Sequence, residues 1–128
     1  MKFLIEIRNN KKGIFLINEF IDRLRFDLPI KDKLKVILTE IIENILHHSN
    51  TDKITISIRE YKSKKVSILI LFKSNDFEIV IQKIQNPKLY LNYSEKRYRG
   101  LGVIMYHNLS SLVMYKFSNG FVRILVLL

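Results

Sequence analysis

The chain of 128 residues has no cysteine. That excludes a disulfide scaffold, a thiol nucleophile and any zinc site with thiolate ligands. It is compatible with a reducing compartment. No run approaches the roughly 18 apolar residues that a membrane helix needs. The opening stretch MKFLIEIRNN is interrupted by Glu6 and Arg8 too early for a signal peptide. The expectation is a soluble cytoplasmic protein that does not engage the membrane. Alanine is missing altogether, while isoleucine, lysine and asparagine are frequent. Biased coding produces such a skew, and it raises lysine without any functional demand.

What is present fits one domain over residues 1–128. A chain of this size buries roughly two thirds of its extended surface, enough for a core without staples. Lysine plus arginine number 22 against 12 aspartate plus glutamate, a formal charge of +10. That balance favours anionic partners: nucleotides, nucleic acid or an acidic protein surface. It is equally what biased coding would leave, and composition alone does not decide between the two.

Lys2 to Arg8 alternates, with Phe3, Ile5 and Ile7 on one side, as a strand with one buried face. Asn9 to Gly13 reads as a turn. Apolar residues at 14, 17, 20, 21 and 24 predict a helix over Ile14 to Phe26, stopped by Leu28-Pro29. A second helix is expected from about Lys31, capped by Asp32, to His48. Its broad apolar stripe runs from Leu34 to Leu46. Three strands follow, Lys53 to Tyr61, Lys65 to Lys73 and Phe77 to Ile84, and then a loop over Gln85 to Arg99. Gly100 opens a last helix with Leu101, Ile104, Met105, Leu109 and Leu112 on one face. A hairpin around Asn119-Gly120 closes the chain. This order predicts an α+β fold: a two-layer α/β sandwich, its mixed sheet mainly antiparallel, with the helices on one face.

Within the second helix, LTEIIENILHHSN, the residues Glu40, Asn44 and His48 stand four apart. At about 100° per residue they form a column beside the apolar stripe, at the rim of the core. The later stretch YRGLG, Tyr98 to Gly102, puts two glycines at a helix start. Backbone amides there bind phosphate, and glycine lets it approach. Each feature has a plain structural reading as well: a solvated helix flank, and glycines that serve a turn and close packing.

Together, in this element order, the Glu-x-x-x-Asn helix and the RGLGV start resemble the histidine-kinase-like ATPase superfamily. The resemblance covers nearly the whole chain. Within the superfamily it is nearest to small bacterial anti-sigma factors that are also serine kinases. It implies a site for ATP and Mg²⁺. Glu40 would be the general base that takes a proton from an attacking hydroxyl. Asn44 would offer Mg²⁺ a neutral oxygen, with His48 near the phosphates. Arg99, Gly100, Leu101 and Gly102 would form the phosphate-binding turn, where Tyr98 replaces a further glycine of the family pattern.

The family's adenine-binding Asp-x-Gly segment departs most. In the register anchored on Pro87, Lys83 stands at the Asp position and Gln85 at the Gly position. A lysine ammonium has only donors and cannot accept the adenine amino hydrogen bond. In the register anchored on the earlier turn, Asp76 is followed by Phe77 and Glu78. Three functions are therefore carried forward. The first is a regulatory anti-sigma-like domain that binds a protein, with ATP binding weak or lost. The resemblance makes a sigma factor or an anti-sigma-factor antagonist its partner, and a homodimer a further expectation. The second is a working Mg-ATP-dependent serine kinase. The third is nucleic-acid binding through the basic and aromatic residues between Lys88 and Arg99. A solvated loop is the stronger reading of that stretch, since no nucleic-acid motif accompanies it. His47 and His48 point about 100° apart, which speaks against a shared metal ion.

Overall fold

The structure, a computed structural model, describes residues 1–49, 51–74, 90–92, 97–99 and 109–128. For His48, 90–92 and 97–99 the description is of the backbone. Strand β1 (Lys2–Arg8) leads into helix α1 (Lys11–Asp22) and helix α2 (Leu28–His48). Strands β2 (Lys53–Glu60) and β3 (Val66–Lys73) follow. Next come the short β4 (Tyr90–Asn92) and β5 (Arg97–Arg99), and the chain ends with β6 (Leu112–Ser118) and β7 (Phe121–Leu127).

Both helices start earlier than the sequence pattern predicts, for local reasons. The Asn10 side chain accepts a hydrogen bond from the Gly13 N–H at 3.1 Å, so it caps α1. The expected turn over Lys11–Gly13 is therefore the helix's first turn. A Cβ on Gly13 would lie 2.3 Å from the Arg8 carbonyl oxygen, so the glycine lets α1 fold back against β1. Helix α1 ends at Asp22, not Phe26, though Leu24 beyond it is still buried. Pro29 does not stop the first helix. It lies in the first turn of the second, where its missing N–H is no loss and its fixed φ suits a helix. The N-cap is accordingly Asp27, not Asp32, and its side chain makes no capping bond.

The main sheet has the order β1-β2-β3-β7-β6, and every neighbouring pair in it is antiparallel. Asn119 and Gly120 join β6 to β7 with φ of 53° and 79°, the positive values that a two-residue hairpin turn requires. The register lines up three apolar rows on one face. Ile5 stands beside Ile56, then Ile70, Ile124 and Tyr115. The rows on either side begin at Phe3 and Ile7. Ile17 and Ile21 of α1 and Leu34, Ile37, Leu38, Ile41, Ile42 and Ile45 of α2 join these rows in one core. Phe3 packs edge-on against Phe20 and Phe26, with centroids 6.4 and 6.2 Å away. The helices thus cover one sheet face, and the architecture is the two-layer α+β sandwich expected.

Two further expectations change. The stretch from Gln85 to Arg99 is not wholly a loop, because β4 and β5 pair antiparallel, Leu91 opposite Tyr98. Tyrosine at positions 90 and 98 suits an extended backbone better than the stretch's polarity suggests. Leu112 opens β6 and does not extend the face of a helix. The expected strand over Phe77 to Ile84 and the helix start at Gly100 lie outside the described residues. No helix among the described residues is long and apolar enough to cross a membrane.

Candidate functional site

Helix α2 positions the site. Six isoleucine and leucine side chains from Leu34 to Ile45 are buried and fix the rotation of the helix against the sheet. That rotation leaves Glu40 and Asn44, one turn apart and so neighbours on the helix surface, half-buried at the edge of the core. The Asn44 Nδ2 atom is shut off from solvent and has no hydrogen-bond partner among the described residues. A buried polar group left so costs about 1–3 kcal/mol. A half-turn about χ2 exchanges Nδ2 for Oδ1, so this position can present either a donor or a neutral oxygen.

The end of α2 is held by a residue that sequence reasoning passes over. Asn9, just after β1, donates from Nδ2 to the Thr51 carbonyl at 2.9 Å and at 3.5 Å to that of Ser49. Its backbone N–H donates to the Asp52 carbonyl at 3.0 Å. Its Oδ1 is buried without a partner among the described residues. The segment after His48 is thereby tied to the end of the first strand. No local signal reveals this, because the partners lie 40 or more positions along the chain. The Asn9-Asn10 pair looks like turn chemistry and nothing more.

Of the residues singled out in the sequence, the structure sets Glu40 and Asn44 side by side. His48 ends the same helix, and its side chain is outside the description. Arg99 ends β5. Lys83, Gln85, Gly100, Leu101 and Gly102 lie outside the described residues, as do Asp76 and Pro87. Among the described residues no group of three histidine, cysteine or acidic side chains could hold a metal ion.

No protein-family model and no curated protein matches the sequence. Solved structures do match. The structure of the SiaB–SiaC complex from Pseudomonas aeruginosa contains a chain that superposes with a TM-score of 0.70 at 15% identity. The match covers 98% of this chain and 88% of that one. The RsbU and RsbW domains of Rv1364c from Mycobacterium tuberculosis give a TM-score of 0.67 at 9% identity. There 99% of this chain is covered but 32% of the other, so the present chain spans about a third of that chain's length. At these identities the likeness is one of fold.

Proposed function

We propose that this chain is a regulatory domain that acts by binding a protein partner, in the manner of an anti-sigma factor, and that its ATP binding is weak or lost. The observation that carries the reading is the fold match along nearly its whole length to a chain from a two-protein complex. The anti-sigma resemblance in the sequence agrees with it. The partner would be a sigma factor or an anti-sigma-factor antagonist. Lys83, at the adenine acceptor position in the register anchored on Pro87, supports the loss of selective ATP binding.

One observation favours a second reading, a working Mg-ATP-dependent serine kinase. The Asn44 Nδ2, shut off from solvent with no partner among the described residues, stands one turn from Glu40. An orphaned polar group at a core rim is what a ligand-binding residue looks like before its ligand arrives. Asn44 would hold Mg²⁺, which takes its other oxygens from phosphate and water. Glu40 would accept the proton of an attacking serine hydroxyl. Gly100 and Gly102 would bind the phosphates.

Two measurements test these readings together. The first is purification of the tagged chain from its native cells. A stoichiometric protein partner is expected, and its absence counts against the binding reading. The second is calorimetric titration with ATP, with and without Mg²⁺. No heat at millimolar ATP is the expected result. Mg-dependent micromolar binding, about −8 kcal/mol, would establish the kinase-like reading instead.

A further inference from the structure

The helices cover one face of the main sheet, and the other face carries a second set of rows. One row runs Leu4, Ser57, Leu69, Leu125 and Met114 across the five strands. The next ends in Leu127 and Leu112. Over β3, β7 and β6 this face is apolar yet open: Leu69 is 38% exposed, Leu112 43%, Met114 51% and Phe121 42%. Scattered exposed leucines need no explanation, but a contiguous patch on one face does.

The charge around the patch is of one sign. On its β3, β7 and β6 side stand Lys73, Arg123 and Lys116. Lys2, Arg8, Lys53 and Arg59 stand on the β1 and β2 side. The one carboxylate in these described rows, Glu6, already lies 3.7 Å from the Lys53 ammonium. The width is also informative. Strands lie about 4.8 Å apart, so three span about 10 Å, close to the diameter of one helix with its side chains.

We propose that the outer face over β3, β7 and β6 docks an acidic amphipathic helix of a partner protein. Its apolar side would lie on Leu69, Leu125 and Met114, and its carboxylates would meet Arg123, Lys116 and Lys73. The proposal rests on the reading of the chain as a protein-binding domain. A second copy of the chain fits less well. It would bring the same uncompensated cations to a face that already repels them, and like charges set opposite each other cost several kcal/mol. An anionic bilayer also fits less well. It takes up apolar side chains that project beyond their neighbours, and here the leucines lie between longer lysines and arginines.

The test uses a labelled synthetic helix of about five turns, leucines along one side and glutamates flanking them, titrated into the full chain by fluorescence anisotropy. Amide shifts in β3, β6 and β7 map where it binds. Saturable binding that moves those amides is expected. Met114→Glu and Arg123→Glu should each weaken it about tenfold, while Lys12→Glu, the same charge change as Arg123→Glu but placed on α1, should not. All three residues are exposed, so the fold tolerates the changes. A version of the peptide with lysines in place of glutamates should bind at least about tenfold less tightly.

The proposal is overturned if the acidic peptide does not bind, if it moves amides of the helical layer, or if both peptides bind alike. It is also overturned if phosphatidylglycerol vesicles bind the face and the peptide does not. Concentration-dependent dimers that Met114→Glu dissociates would overturn it in favour of a second copy. Should the peptide fail while a stoichiometric partner still co-purifies, the face is wrong and the binding reading stands. Should both fail, both fall.

Discussion

Asn44 and Gly13 each invert an ordinary expectation. An asparagine inside a helix normally ranks about 0.6 kcal/mol below alanine. At position 44 it also buries a donor with no partner among the described residues, so both effects favour removing it. The lost packing of a half-buried side chain opposes them. Asn44→Ala should therefore leave the unfolding free energy unchanged or raise it by up to about 1 kcal/mol, read from urea denaturation. Any Mg-dependent heat with ATP should vanish in the same variant. A loss beyond about 1 kcal/mol would instead make Asn44 a structural residue whose partner lies outside the described part. For Gly13 the propensity argument runs the other way, since alanine in a helix gains about 1 kcal/mol over glycine. Here the new methyl would meet the Arg8 carbonyl oxygen at 2.3 Å, a backbone atom that cannot swing aside. Gly13→Ala should lose about 1–3 kcal/mol. A gain would show that β1 and α1 can part at small cost.

The two helix starts differ in a way that stability can report. Asn10 caps α1 through its side chain, and Asp27 stands at the N-cap of α2 without a side-chain bond. Asn10→Ala should cost about 1 kcal/mol. Asp27→Ala should cost less than half of that, since only its charge near the helix N-terminus is lost. Equal costs by urea denaturation would mean that the Asn10 side-chain bond contributes no more than the Asp27 charge does. These starts also mark how far elements could be read in advance. The strands of the main sheet were legible because alternation has a period of two and the register keeps Ile5, Ile56, Ile70 and Ile124 on one face, whereas the short β4 and β5 were hidden in a polar stretch. The body of α2 was legible because its stripe is broad. The start of α2 was not, because Pro29 has two opposite meanings, stop and first turn, and tertiary packing chooses between them. Glu40 and Asn44 were legible as a pair at helical spacing. Asn9 was not, because its role depends on a contact that only the folded chain makes.

On the scale of the whole molecule, charge is the term left unbalanced. The formal charge is +10, and the ion pairs among the described residues are few and open to solvent. Lys35 pairs with Asp22 and Lys53 with Glu6, with side chains from one third to more than half exposed. Pairs so exposed contribute about 0–1 kcal/mol each. Repulsion among the remaining cations acts over many more distances. The Debye length shrinks from about 30 Å at 0.01 M salt to about 8 Å at 0.15 M. Screening therefore removes more repulsion than attraction, because the close pairs are the last to be screened. The urea midpoint should rise as sodium chloride is raised across that range. Chloride is the right salt for this, since sulfate would strengthen apolar burial by another route. The cations around Leu69 and Met114 supply part of the repulsion, so Arg123→Glu should raise the midpoint at low salt and flatten its dependence on salt. A midpoint that falls with salt would mean that attractive pairs dominate. It would also remove the electrostatic argument for an acidic partner on the open face of the sheet.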